Sequence, residues 1–188
     1  MVSSFAHTDH WLKPPPRFVK LNVDGACPPD DRLPTISTLI HDHDGFVLAG
    51  RARSIGCPRV SNCVEAHALC YGFQLVIESG YSRKLIESDS SSVITQFQQH
   101  SFDMSVLQFI LPDAHQILVS HSDYMLRSIR HNANKADHTL ANFASSSATA
   151  ISFMHDYLSY LSIVIVNEFG HSFPLIGFKR FFNEVIGH

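Results

Sequence analysis

The chain has 188 residues, 45% of them hydrophobic, which is enough for one domain with an apolar core and too short for two full-sized domains. Its formal net charge of -3 excludes a general basic field that would capture nucleic acid, so a polyanionic partner has to be held by local cations. The four cysteines form no CxxC pair, which favours reduced thiols in a soluble intracellular protein.

The first predicted strand, residues 18–26, ends on a carboxylate. Residues 1–16 form an extended lead-in to it, because their three consecutive prolines cannot be helical. Apolar side chains alternate along the strand up to Asp24, and Gly25 then allows another group to approach closely beside the acid. Two interpretations stay open at this point: Asp24 opens a solvated turn, or it belongs to a site.

Two further β-type runs, at residues 35–41 and 46–53, are separated by the turn Asp42-His43-Asp44-Gly45, which with His41 contains two histidine–aspartate pairs. They predict an antiparallel meander of three strands. The turn has the side chains of a metal site, but ligands this close in sequence rarely converge on one ion. We therefore interpret it as a hairpin connection.

A helix is predicted over residues 61–79, with Ser61 or Asn62 as its N-terminal cap and Gly80 as its end. Glu65 lies in the middle of its apolar face. A carboxylate there costs several kcal/mol unless it is neutralised, paired or bound to a cation. The alternative is that Glu65 reaches solvent near the helix start, where it complements the helix dipole.

The second half of the chain alternates strands and helices. A short strand at residues 84–89 again ends in an acid, Asp89, and a helix through residue 99 follows it. The order strand, helix, strand predicts a parallel crossover, which brings the acids at the strand ends to one edge of the sheet. A helix, a strand and a helix are then predicted at residues 104–119, 124–130 and 134–147.

Residues 150–188 are rich in Phe, Leu and Ile without a clear period, and they predict an apolar C-terminal tail of uncertain order. His155 and Asp156 interrupt its most apolar stretch, which is short for a bilayer span, so no membrane association is expected. The predicted domain covers residues 17–149, and we expect a monomer.

Asp24, Glu65 and Asp89 are the acids that this chain geometry brings together. Clustered carboxylates repel one another, so such a site is usually held by divalent cations, and oxygen-only ligation indicates Mg²⁺ or Mn²⁺. Two such ions can activate a water and stabilise the leaving oxygen of a phosphodiester. The sequence therefore predicts metal-dependent phosphodiester hydrolysis.

Four segments, in this order, resemble the motifs of the type 1 ribonuclease H domain, in the version abundant in plants and related to retroelements. They are Lys20-Leu-Asn-Val-Asp-Gly-Ala26, Cys63-Val-Glu-Ala-His-Ala-Leu69, Ile86-Glu-Ser-Asp-Ser90 and Asn134-Lys-Ala-Asp-His-Thr-Leu-Ala141. The resemblance implies an α/β, ribonuclease H-like fold: a five-stranded mixed sheet, made of an antiparallel three-strand meander plus two parallel strands, with helices on both faces. It also implies an endonuclease that cuts the RNA strand of RNA/DNA hybrids, with two metal ions held by Asp24, Glu65 and Asp89.

The fourth catalytic position departs from the family pattern. His138 stands where the resemblance leads us to expect an aspartate, and Asp137 comes one residue early, which is about 100° of helix. Two alternatives stay open: Asp137 swings toward the ions, or His138 ligates a metal or transfers protons as a neutral imidazole.

Few cations are available to hold a hybrid, because no Lys or Arg occurs from residue 85 through residue 126. The predicted nucleic-acid-binding residues are Gly25, Arg127, Arg130, Asn134 and Lys135. The scarcity of cations and the altered fourth position support an alternative function, a catalytically idle nucleic-acid-binding or interaction domain derived from a retroelement ribonuclease H.

Overall fold

The computed structural model describes residues 10–99, 107–119 and 123–154. The strands are β1 Val19–Ala26, β2 Thr35–His41, β3 Val47–Ser54, β4 Lys84–Ser88, β5 Tyr124–Ser128 and β6 Ile151–Met154. The helices are α1 Ser61–Glu78, α2 Ser91–Gln99, α3 Leu107–Val119 and α4 Lys135–Ser147. None of these helices is long and apolar enough to cross a membrane.

The strands form one mixed sheet in the order β5-β4-β1-β2-β3-β6. β1, β2 and β3 are the predicted antiparallel meander, and β4 and β5 continue the sheet in parallel from β1. The predicted α/β, ribonuclease H-like fold class is confirmed. The sheet has one strand more than the five predicted, because β6 pairs antiparallel with β3.

β6 arises from the start of the predicted tail. Ile151 and Phe153 are buried, and the side chains between and after them are exposed, as expected for a strand with one face on the core. Four residues of this alternation are too few to stand out from the apolar sequence that follows. The rest of the predicted tail, from residue 155, lies outside the described residues.

Helix α1 packs on one face of the sheet, and two glycines permit its close approach. A Cβ atom on Gly72 would lie 2.5 Å from Cγ1 of Val23 in β1. A Cβ atom on Gly25 would lie 2.9 Å from the backbone nitrogen of Glu65 and 3.0 Å from the carbonyl carbon of Val64. The backbones of β1 and α1 therefore touch at the end of the sheet where the predicted acids stand.

The bounds of α1 agree with the prediction, but the predicted side-chain cap is wrong. Val60 occupies the N-cap position, and its apolar side chain forms no capping hydrogen bond. The side chain of Asn62 instead accepts a hydrogen bond of 2.8 Å from Ser92 at the start of α2. At the other end, Gly80 has a φ of +71°, the left-handed conformation typical of a residue just beyond a helix.

Helix α4 lies on the opposite face of the sheet, against β1, β2 and β3. A short 3-10 turn, His131–Ala133, precedes it. The amide of Asn134 donates a 2.8 Å hydrogen bond to the carbonyl of Val23, and the Ser37 hydroxyl donates a 2.7 Å bond to the carbonyl of Asp137. These bonds tie the first turn of α4 to β1 and β2.

A buried ion pair joins β1 to β4. Nζ of Lys20 lies 3.0 Å from Oε2 of Glu87, and their side chains are 1% and 2% exposed. Glu87 also accepts hydrogen bonds from Nε of Arg127 at 2.7 Å and from the amide of Asn22 at 3.3 Å. The Lys20 ammonium lies 4.5 Å from the centre of the Trp11 ring. Burial lowers the pKa of Lys20, and Glu87 opposes that shift.

Removing the lysine should be costly, because it leaves Glu87 buried with one partner fewer. We expect Lys20→Met to lower the free energy of unfolding by about 3 kcal/mol, measured by urea denaturation. The control is Lys135→Met, since Lys135 is an exposed lysine whose replacement should change stability by less than about 0.5 kcal/mol. Equal stability of the two variants would show that the buried pair does not hold β1 to β4.

Candidate metal site and active site

Asp24, Glu65 and Asp89 meet at the carboxyl ends of β1 and β4. One carboxylate oxygen from each residue lies within 4.8 Å of those of the other two. Asp24 stands near the end of β1, and Asp89 directly follows the parallel strand β4. Glu65 joins them from the second turn of α1, which reaches β1 because Gly25 has no side chain. We call these three residues the acid cluster.

The acid cluster is buried and strongly coupled. Asp24 and Glu65 are 2% and 6% exposed, and Asp89 is half-buried. Burial, reinforced by the charges of Asp24 and Asp89, raises the pKa of Glu65 to about 9. Burial also raises the pKa of Asp24, while its hydrogen bond with His138 acts in the opposite direction. The carboxyl groups of Asp24 and Glu65 therefore resist ionisation unless a cation binds beside them.

The donor set of the acid cluster fits a divalent cation. Oε2 of Glu65 is buried and has no hydrogen-bond partner within the described part of the chain. Buried polar atoms are normally satisfied, so an orphaned carboxylate oxygen beside two further carboxylates calls for a ligand. Carboxylate oxygens suit hard cations such as Mg²⁺ and Mn²⁺. The assignment of the three acids as metal ligands stays a prediction.

Two histidines contact the acid cluster from the α4 side. Nδ1 of His138 lies 3.1 Å from Oδ2 of Asp24, and Nδ1 of His131 lies 2.7 Å from Oδ2 of Asp89. The two imidazole rings meet edge to face, with centroids 4.8 Å apart. His138 was predicted from the sequence, whereas His131 was not. The one sequence signal for His131 is that it lies between a strand that ends at the same edge of the sheet as the acids and the helix that carries His138.

Asp137 does not join the acid cluster. It is 1% exposed, and its carboxylate accepts a hydrogen bond from the backbone of Leu39 in β2. Burial, followed by the charges of Asp24 and Asp89, raises its pKa well above the ordinary value. Of the two alternatives for the fourth position, the structure places His138 against the acids and turns Asp137 toward the sheet. Adjacent helical residues differ by about 100° in direction, which accounts for the separation.

The predicted nucleic-acid-binding cations lie on and just after β5. Arg130 and Lys135 are exposed, and Arg127 is half-buried. Arg127 also forms an ion pair with Glu87, so part of its charge is used inside the protein. Their contact with nucleic acid stays a prediction.

The other two residues predicted to bind nucleic acid have internal partners. Asn134 is 1% exposed, and its side chain donates to the Val23 carbonyl and accepts a hydrogen bond of 3.2 Å from Asn22. Gly25 faces the backbone of α1. In the structure both residues position the elements that carry the acids. Asn22 was missed, although a polar residue between buried apolar neighbours of a central strand signals an internal partner.

Comparisons with known protein families and with solved structures agree with the fold described above. The model of a family described as reverse transcriptase-like matches residues 22–144. No curated protein is similar enough in sequence to be counted as a match.

Several solved structures share the fold. RNase H1 from the halophilic archaeon Halobacterium salinarum NRC-1 has 21% sequence identity and a TM-score of 0.64, covering 70% of this chain and 99% of that one. The N-terminal RNase H domain of rv2228c from Mycobacterium tuberculosis has 19% identity and a TM-score of 0.62, covering 70% and 95%. LC11-RNase H1, isolated from compost and solved in complex with an RNA/DNA hybrid, has 18% identity and a TM-score of 0.63, covering 69% and 98%.

The raised pKa of Glu65 predicts how the stability of the metal-free protein depends on pH. An ordinary Glu has a pKa of 4.5, and Glu65 in the folded state has one of about 9. Between these values the folded protein holds a proton that the unfolded chain has lost, so the contribution of Glu65 to stability falls as the pH rises. Glu65→Gln, which mimics the neutral form, should be more stable than the parent at pH 8 by on the order of 1 kcal/mol or more.

The measurement is thermal unfolding in EDTA at pH 5 and pH 8, and the gain should shrink toward pH 5. Glu78→Gln is the matched control, because Glu78 lies on the same helix but is exposed and paired with Arg51. It should gain nothing at either pH. A Glu65→Gln variant less stable than the parent at pH 8 would contradict the buried, uncompensated carboxyl.

Proposed function

Because the chain belongs to the reverse transcriptase-like family and has the ribonuclease H fold, we propose that it is a metal-dependent endonuclease that hydrolyses the RNA strand of RNA/DNA hybrids. The observation that carries this proposal is the acid cluster: three carboxylates within 4.8 Å of one another at the carboxyl edge of the sheet. A purely structural role would pair these charges, as the protein does with Lys20 and Glu87. The acid cluster instead brings like charges together, with the imidazoles of His131 and His138 beside them, and is suited to metal-assisted hydrolysis.

Asp24, Glu65 and Asp89 would hold Mg²⁺ or Mn²⁺, because all their donor atoms are carboxylate oxygens. When bound, two such ions supply Lewis-acid activation of the attacking water and stabilise the leaving oxygen of the phosphodiester. Glu65 has to release its proton before it can ligate, since its pKa is about 9 without a cation. The role of the chain is therefore to hold three carboxyl groups close enough together to ligate the same cations.

His138 is the residue of α4 that we propose to act at this site. Its Nδ1 atom lies 3.1 Å from Oδ2 of Asp24, which holds the ring beside the acid cluster, and an imidazole in that place is suited to transferring protons. The ring is 40% exposed, so it is accessible to a bound phosphodiester. His131 contacts Asp89 in the same way and would fix the orientation of that carboxylate. Asp137 contributes packing between α4 and β2.

The proposed substrate is an RNA/DNA hybrid. One protein with the same fold, LC11-RNase H1, was solved in complex with such a hybrid. The exposed Arg130 and Lys135, with Arg127 beside them, would contact the phosphates next to the acid cluster. So few cations predict weak binding that falls as salt is added.

The direct test uses a uniformly labelled RNA/DNA hybrid with the purified protein in Mg²⁺ and in Mn²⁺. We expect cleavage of the RNA strand, and we expect Asp24→Asn to lower the rate by about 100-fold or more because it removes a charged metal ligand. Circular dichroism of the variant checks that it is folded. Absence of cleavage in both metals by folded parent protein, together with retained binding of the hybrid, would favour the idle binding domain instead.

The same assay separates the two residues of the fourth position. His138→Ala should lower the rate by about 100-fold, the usual contribution of a positioned proton-transfer group. Asp137→Asn should stay within a few-fold of the parent, since Asn keeps the shape of a carboxyl that is buried against β2. The reverse order of effects would assign the position to Asp137.

A further inference from the structure

A second group of metal-binding side chains lies at the start of α1, with chemistry unlike that of the acid cluster. One donor atom each from Cys57, Cys63 and His67 lies within 4.8 Å of the other two. Cys57 comes from the loop between β3 and α1. Cys63 and His67 are four residues apart on α1, which places them on the same face in successive turns. We call these residues the thiol cluster.

The thiol cluster combines a buried interior with one accessible side. Cys63 is 1% exposed, while Cys57 and His67 are half-buried. All the cysteines here are free thiols. A small ion could therefore enter from the loop side and be shielded from water once bound.

The Cys57 thiol holds its proton when no cation is present, so a metal has to displace that proton as it binds. Burial raises the pKa of Cys57 to about 11, and the neighbouring Cys63 adds to that shift. The imidazole of His67 places a nitrogen donor within 4.8 Å of both thiols. Two thiols and a neutral imidazole without a cation have only weak hydrogen bonds to offer one another.

We propose that Cys57, Cys63 and His67 bind a zinc ion at a site separate from the acid cluster. Thiolate sulfur and imidazole nitrogen select Zn²⁺, whereas Mg²⁺ and Mn²⁺ prefer the oxygens of the acid cluster. Normal zinc bonds place tetrahedral donors about 3.5–3.8 Å apart, so the cluster has to contract by about 1.3 Å at most. Each thiol releases its proton to solvent as its zinc–sulfur bond forms.

A further thiol is close to this site. The exposed Cys27, at the end of β1, interacts electrostatically with both Cys57 and Cys63. The fourth coordination position is open to water or to this sulfur.

Zinc at the thiol cluster would fix the entry into α1. That helix begins without a side-chain cap, and Val60 at the N-cap position is exposed. A zinc ion would join the loop at Cys57 to the first two turns of the helix, which also carry Glu65. The inference stands on the thiol and imidazole donors alone, and it holds whether or not the protein cleaves RNA.

The test is a titration of the reduced, metal-free full chain with Co²⁺, a spectroscopic substitute for Zn²⁺. We expect one equivalent to give the thiolate-to-cobalt charge-transfer band and the visible bands of a tetrahedral site, and we expect Zn²⁺ to displace it. Cys57→Ser and His67→Gln should each weaken binding by about 10-fold or more, since each removes a ligand.

Two variants serve as matched controls. Cys70→Ser removes a thiol on the same helix that instead donates to the Ile110 carbonyl at 3.5 Å, and it should leave the cobalt spectrum unchanged. Asp24→Asn should also leave it unchanged, which separates the thiol cluster from the acid cluster.

Zinc should also raise the unfolding temperature of the parent and protect Cys57 from alkylation, and both effects should be smaller at the same zinc concentration for His67→Gln, whose thiols are intact. The proposal is overturned if reduced parent protein gives no charge-transfer band. It is equally overturned if the band persists in folded Cys57→Ser and His67→Gln, since another set of ligands would then be responsible. A Cys57–Cys63 disulfide that forms in the presence of excess zinc would also overturn it.

Discussion

The backbone contact between β1 and α1 at Gly25 is the constraint on which the rest of the site depends. Any side chain at this position would place its Cβ atom 2.9 Å from the Glu65 nitrogen, so the helix would have to move away from the strand. The contact sets the distance between Glu65 and Asp24, and the parallel pairing of β1 with β4 then brings Asp89 to the same edge. The acid cluster therefore depends on the absence of a side chain at Gly25 and on the crossover connection that places β4 parallel to β1.

Buried charged residues have opposite surroundings at the two ends of β1. Near its start, Lys20 and Glu87 are almost completely buried, and each has an oppositely charged partner. Near its end, Asp24 and Glu65 are almost as buried, with further negative charge as their neighbour and two imidazoles nearby, of which His138 is half-buried and His131 is exposed. Burial alone therefore does not account for the carboxylates at the carboxyl edge, because the same strand shows how the fold compensates such charges when they are structural. The contrast supports the proposal that the second set binds cations.

Much of this arrangement was predictable because it depends on order and periodicity along the chain. The meander, α1, the crossover and the meeting of the acids follow from apolar patterns and from acids at strand ends. What could not be predicted depends on angles and long-range contacts. The choice between Asp137 and His138 is one of about 100° of rotation, decided by where α4 rests on β2. Likewise, Cys57 meets Cys63 only through the path of a loop, which carries no periodic signal.

The start of α1 is shared by two donor sets that cannot compete for the same ion. Glu65 lies between Cys63 and His67 in sequence but points toward the sheet, because the four-residue spacing of the other two keeps them on another face of the helix. Hard carboxylate oxygens prefer Mg²⁺ and soft thiolate sulfurs prefer Zn²⁺, so Mg²⁺ on one face of the helix and Zn²⁺ on the other would coexist. Zinc would hold the first turns of α1 on the face of Cys63 and His67, while the opposite face carries Glu65, a carboxyl group that resists ionisation. The stability gained from zinc binding would thereby offset the free-energy cost of burying the Glu65 carboxyl group.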